Sequence, residues 1–162
     1  MQILVRLSLL QDRLSSIPLD PALFLIAQQI QILNRPNPKV QLGPVDMSCP
    51  ILVCDMQQPD QPIVYASDPF YELTGYTAAE VIGRNCRFLQ APGGKVKAKS
   101  TRKYVDKDSI RKMRKAVEKS SELQIEVVNF KKNGDRFINY LTMIPVQWEN
   151  RDYCVGFVTE QD

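Results

Sequence analysis

The chain contains no histidine. That absence excludes histidine-based catalytic triads, histidine-bearing metal centres and the ordinary imidazole switch near neutral pH, and no metal site is expected. Net charge is scarce as well: +3 over 162 residues is too little for a domain built to hold nucleic acid. The four cysteines, Cys49, Cys54, Cys86 and Cys154, include no CxxC pair. Zinc-ribbon and thioredoxin patterns are therefore unsupported, and free thiols in the reducing cytoplasm or nucleus are the expectation. Long apolar runs are missing too, since none approaches the roughly 20 residues of a spanning helix. The opening MQILVRLSLL is interrupted by Arg6 and followed by Gln11, Asp12 and Arg13. It has no small-residue cleavage pattern, so it is not read as a secretory signal, and no membrane partner is expected. A hydrophobic share of 44% and a charged share of 24% describe an ordinary globular chain, long enough for one compact domain plus a tail or cap.

Residues 1 to about 21 are poorly patterned. Leu23, Phe24, Ile26, Ile30 and Leu33 recur at helical spacing and predict a helix over about 22–33. Asn34-Arg35-Pro36-Asn37-Pro38 ends it, because neither proline can continue a helix. Residues 1–45 thus read as a tail and cap, and 46–162 as the main domain. In that domain CPILVCD (49–55) reads as a buried strand and Ile63–Ala66 as the next. Asp68-Pro69 opens a short helix closed at Gly75, and Thr77 with Glu80 forms a capping box for another, Ala78 to Ile82. A charged helix with Ile110, Met113 and Val117 is expected over 108–119. Strands follow at Leu123–Phe130, Phe137–Pro145 and Tyr153–Val158, the first two joined by the Asn133-Gly134 turn. Two strands, several short helices, then three strands predict an α+β fold: a five-stranded antiparallel sheet with the helices gathered on one face.

The chemistry concentrates in GRNCRFLQ, Gly83–Gln90. Cys86 sits between Asn85 and Arg87, whereas an inert structural cysteine normally has apolar neighbours. The bland alternative is a small core filler. The octet, within IVYASDPFYELTGYTAAEVIGRNCRFLQ, resembles the flavin-binding motif of the light-oxygen-voltage (LOV) blue-light receptors, a branch of the PAS fold. NFKKNGDRFINYLTMIPV matches the same pattern. NRPNPKVQLGPVDMSC and APGGKVKAKSTRKYVD resemble the fungal short LOV proteins of the Vivid type, relatives of the White Collar light sensors.

The resemblance implies a blue-light photoreceptor, not an enzyme; independently, the sequence shows no acid–base pair and no nucleotide-phosphate glycine loop. It implies that Cys86 forms a reversible photoadduct with a bound flavin, FAD, with FMN as the alternative. Asn85, Gln90, Asn129 and Asn139 would hydrogen-bond the flavin, amides suiting its mixed donor–acceptor edge. Arg87 would pair with phosphate, its bland alternative being a solvated surface arginine. Lys97 and Arg102, in the basic stretch 91–104, would hold the adenine end and phosphates. Alone, such a stretch is usually a solvated loop, and its use on nucleic acid is disfavoured by the lack of interleaved aromatics. Val53, Leu89, Leu141, Ile144 and Phe157 are candidate ring walls, or plain core. The signalling set is Cys49 at a hinge, Cys54 and Asp55 on the strand beneath it, and Ile30, Ile32 and Leu33 on the cap. The resemblance implies a light-dependent homodimer and competition with a White Collar-type transcription factor, adapting transcription to light.

One position departs from the pattern. LOV domains typically end in GFQ, the glutamine relaying protonation of the flavin, and here Val158 occupies that place. Valine has no hydrogen-bonding group, so photochemistry is expected to survive while coupling to the cap weakens. A permanently docked cap gains force from that change. Two other classes stay open: a flavin-bound PAS redox sensor, and a cofactor-free PAS interaction module.

Overall fold

The computed structural model describes residues 31–46 and 48–161. The chain divides into two compact units, Met1–Asn34 and Arg35–Asp162. In the first unit the described part is the last helical turn, residues 31–33, in which Ile32 is buried and Leu33 exposed. The start of the expected helix, including Ile30, lies outside the described residues.

The second unit is built on one antiparallel sheet of five strands: β1 (Ile51–Asp55), β2 (Ile63–Ala66), β3 (Leu123–Phe130), β4 (Arg136–Trp148) and β5 (Arg151–Phe157), in the order β2-β1-β5-β4-β3. Between β2 and β3 the chain forms α1 (Asp68–Thr74), α2 (Ala78–Val81), two 3-10 turns (Cys86–Gln90 and Pro92–Gly94) and α3 (Lys107–Glu118). Short helices grouped between the second and third strands match the sequence expectation.

The local signals act as their chemistry requires. Gly75 ends α1 in the left-handed region at φ 75°, its N–H reaching the carbonyl of Tyr71. The Thr77 N–H donates to Glu80 Oε2 at 2.9 Å, closing the start of α2. Lys132 and the Thr77 groups together hold the Glu80 carboxyl down at about 2. Asp106 caps α3 by accepting from Asp108 N and Ser109 N at 2.8 and 3.0 Å.

Two hairpins differ from expectation. Between β3 and β4 only Gly134 takes positive φ, in a five-residue connection closed by Lys131 N to Asp135 O at 2.8 Å. Strand β4 runs on to Trp148, past Pro145. A proline is tolerated there because β3 has already ended: its last partner on β4 is Met143, and beyond that only β5 pairs with the strand. Glu149 and Asn150, at φ 48° and 59°, then make a tight two-residue turn into β5.

The segment after Asn34 is pinned to the sheet. Glu122, just before β3, accepts from Arg35 Nε at 2.6 Å, Lys39 N at 2.9 Å and Val40 N at 2.8 Å, while Arg35 donates to the Val40 carbonyl. The Arg35 and Glu122 side chains are only 12% and 11% exposed. Glu122→Ala would strand three donors, so we expect a loss of about 2 kcal/mol, read as a lower urea midpoint at unchanged slope. An unchanged midpoint would show that the strap is held by other contacts.

Candidate functional site

The helical connection and the sheet face enclose a cavity of about 380 Å³, within the range of small-molecule sites. Which side chains reach it follows from strand alternation. Leu52 and Cys54 of β1 face inward, as do Asn139, Leu141 and Met143 of β4 and Val127 and Asn129 of β3. Strand β5 contributes Cys154 and Gly156, and Val158 follows it. The opposite wall carries Cys86, Leu89 and Gln90 from the 3-10 turn, with Ile110, Met113 and Arg114 from α3.

Gly156 keeps this space open. A Cβ there would come within 3.1 Å of Leu52 Cδ1, tighter than ordinary packing. Asn139 is 1% exposed. Its Nδ2 donates to Asn129 Oδ1 at 2.9 Å and its Oδ1 accepts from Thr159 N at 3.1 Å. Asn129 Nδ2 donates to the Val128 carbonyl at 2.8 Å. Each amide nitrogen carries two hydrogens, so each asparagine retains a donor for a ligand. Gln90 Oε1 accepts from Arg102 Nε at 2.9 Å, leaving its amide NH2 available. Apolar walls with an amide edge suit a planar heteroaromatic ring.

The mouth is cationic. Arg87, Arg102 and Arg114 all line the cavity. Partial burial, then repulsion from Arg87 and Arg114, lowers the Arg102 guanidinium below its ordinary value. Asp60, which pairs with Arg87, and Glu118 on the cavity wall are the acids opposing this group. Asn85 is the cap of the cysteine turn: its Oδ1 accepts from Arg87 N at 3.0 Å and its Nδ2 donates to the Asp60 carbonyl at 2.6 Å. A second, open depression of about 720 Å³ adjoins, sharing Met56, Gln61, Arg87 and Arg114 and adding Lys99.

Several sequence expectations need correction. Lys97 is exposed and outside the cavity. It contributes its carbonyl, which accepts from Ser100 Oγ at 2.8 Å and Arg102 Nη1 at 3.2 Å and so helps turn Arg102 inward. Phe157, Val53 and Ile144 are buried, but alternation places them on the other sheet face. Cys54, on β1, faces the cavity. Asp55 points the other way, where Arg151 pairs with it at 2.6 Å. Cys49 lies outside the cavity, its carbonyl accepting from Ser67 Oγ at 3.1 Å. Reasoning from sequence missed Leu52, Met143, Gly156 and Arg114. Counting by two from Asn139 and Val158, and by helical turns from Ile110, would have found Met143, Gly156 and Arg114; Leu52 follows only from the facing of β1.

Sheet order, cysteine turn and cavity define a PAS domain with an internal cavity, and the comparisons agree. Residues 48–162 match the PAS domain family. The crystal structure of the photo-excited blue-light photoreceptor Vivid is 60% identical with a TM-score of 0.82, over 84% of this chain and 94% of that one. The light-state dimer of Vivid is 56% identical with a TM-score of 0.81, over 90% of this chain and 98% of that one. White collar 1 protein of Neurospora crassa is 44% identical over 128 residues, 78% of this chain. The chain spans only 11% of that relative's length. The chain belongs to the PAS family, in its light-oxygen-voltage branch, among the Vivid-like fungal blue-light receptors.

Proposed function

We propose that this chain senses blue light through a flavin held in the cavity, with Cys86 as the thiol that captures it. A bound flavin supplies a ring that blue light makes reactive toward a thiol. The observation carrying this reading is the placement of Cys86, half-buried at the cavity wall and opposite the Asn129–Asn139 amide pair. Cys54, and then the Arg87 charge, lower the Cys86 thiol from its ordinary value against the opposing effects of burial and Asp60, the direction that favours reactivity.

FAD is the proposed form. Three arginines offer a clamp for phosphates, and the adjoining depression with Arg87, Arg114 and Lys99 has room for a second ring system. Arg87 and Arg102 hold the anionic tail, Leu89 and Leu141 contact the ring, and Asn129, Asn139 and Gln90 set its orientation. Output runs through Cys49, Ile32 and Leu33 at the N-terminal side, ending in a light-dependent homodimer like the light-state dimer of Vivid. A White Collar-type transcription factor is the proposed partner, met in the cytoplasm or nucleus. Val158 is 1% exposed and lines the cavity, so the amide relay of related receptors has no counterpart at that position.

Absorption spectra before and after blue light, with size-exclusion chromatography in both states, test this. A yellow protein that bleaches, recovers in darkness and elutes earlier when lit is the expected result. Val158→Gln is expected to enlarge the elution shift without preventing bleaching. A yellow protein that does not bleach would favour a redox sensor, and a colourless one a bare interaction module.

A further inference from the structure

Arg87 is already occupied: the carboxylate of Asp60, on the loop between β1 and β2, holds its guanidinium in an ion pair. We propose that Asp60 is a built-in competitor for a ligand phosphate. It is a specificity-determining residue that takes up Arg87 and so lowers the chain's affinity for a phosphorylated flavin, while leaving affinity for the same ring without phosphate unchanged.

Arg87 Nε donates to the Val96 carbonyl at 3.2 Å, and Nη2 donates to Asp60 Oδ2. Nη2 belongs to both pairs of parallel N–H bonds with which a guanidinium grips an oxyanion, so a carboxylate on it blocks both two-pronged modes. The contact is built rather than a chance meeting of surface charges. One side chain fixes both partners: Asn85 Oδ1 accepts from Arg87 N at 3.0 Å, and Asn85 Nδ2 donates to the Asp60 carbonyl at 2.6 Å. The loop itself is tied, with Gln61 N donating to the Gln58 carbonyl and Asp55 N to the Pro62 carbonyl, both at 3.0 Å. Yet the pair is exchangeable. The Arg87 side chain is 15% exposed and that of Asp60 52%. A half-solvated carboxylate gains little from an ion pair and returns to water at small cost, whereas the mostly buried guanidinium needs an anion beside it. A phosphate can therefore take the place of Asp60. Lys99 and Arg114 line the same open depression, and Asp60 is the one acid on its wall among the described residues. Arg102 and Glu118 line the adjoining cavity. Neutralising Asp60 leaves the cations of the depression unopposed and strengthens their attraction for an incoming phosphate.

This rests on a flavin being the ligand, and the experiment keeps the two ideas apart. The full chain, as wild type and as Asp60→Asn, is loaded with FMN or with riboflavin, which share the ring and differ by the phosphate. Flavin fluorescence then follows release on dilution. Asparagine tolerates the φ of 64° at this position, so the variant keeps the loop. FMN release is expected to slow about fivefold in Asp60→Asn, the scale of one half-exposed ion pair, with riboflavin release unchanged. In an Arg87→Gln background the same substitution is expected to change FMN release by less than about twofold, because the coupled partner is gone. FMN release at the wild-type rate or faster in Asp60→Asn overturns the inference, as does equal slowing of both flavins or a full effect without Arg87. A wild type that takes up neither flavin removes the photoreceptor reading. Inorganic pyrophosphate, titrated by phosphorus NMR, then decides the role of Asp60: tighter binding by Asp60→Asn than by wild type supports it, and equal binding or none overturns it.

Discussion

Replacing Cys86 by alanine is expected to leave a yellow protein that no longer bleaches. The cavity's other groups remain: the amide pair, the apolar walls and the three arginines all belong to other residues. Flavin occupancy should therefore stay near that of wild type while the light response falls to nothing measurable. Neither remaining cavity thiol can substitute. Cys54 and Cys154 are both pushed up from the ordinary value, Cys154 to about 12, so almost none of either is thiolate at neutral pH. The elution shift under light should vanish in the same variant, tying association to the sulfur. Residual reversible bleaching in Cys86→Ala would remove that thiol from the centre of the mechanism.

The second large effect is expected from Asn139→Leu, a change of similar volume. Asn139 is buried, and its amide serves two partners: Asn129 Oδ1 and the N–H of Thr159. Leucine leaves the buried Asn129 Oδ1 without its partner and removes the acceptor of Thr159 N, which costs about 1–3 kcal/mol. It also removes one of the two cavity amides proposed to meet the ring edge. We expect thermal unfolding lowered by several degrees, on the order of 4–8 °C for each kcal/mol in a domain of this size, and most of the flavin lost during purification. Thr159 follows Val158 directly, and its carbonyl accepts from Tyr140 N at 2.8 Å. The amide thus joins the cavity wall to the chain leaving the sheet. Asn129→Leu also removes two bonds, the acceptor of Asn139 Nδ2 and the donor to the Val128 carbonyl, so a stability loss of similar size is expected. Equal flavin content in wild type and Asn139→Leu would show that the amide pair is structural alone.

Much of this was legible from residue order. The elements were readable because each rests on local chemistry: Gly75 in the left-handed region, Thr77 with Glu80, the alternation in β3. The cysteine octet, with a thiol between an amide and an arginine, marked the site. The length of β4 was not legible, because Pro145 reads as a stop unless one knows that β3 has already ended beside it.

Sequence by itself determined which residues could do chemistry here: no imidazole, one thiol in polar company, and two strand asparagines ten residues apart. Tertiary structure alone decided which of the remaining apolar and thiol side chains meet at the cavity. Facing is a matter of parity along a strand, so one position separates Leu141 on the cavity wall from Thr142 on the far side. Cys54 and Cys86, 32 residues apart in the chain, were brought to one cavity by the pairing of β1 with β5 and the crossing of the helical turn, which no local pattern encodes.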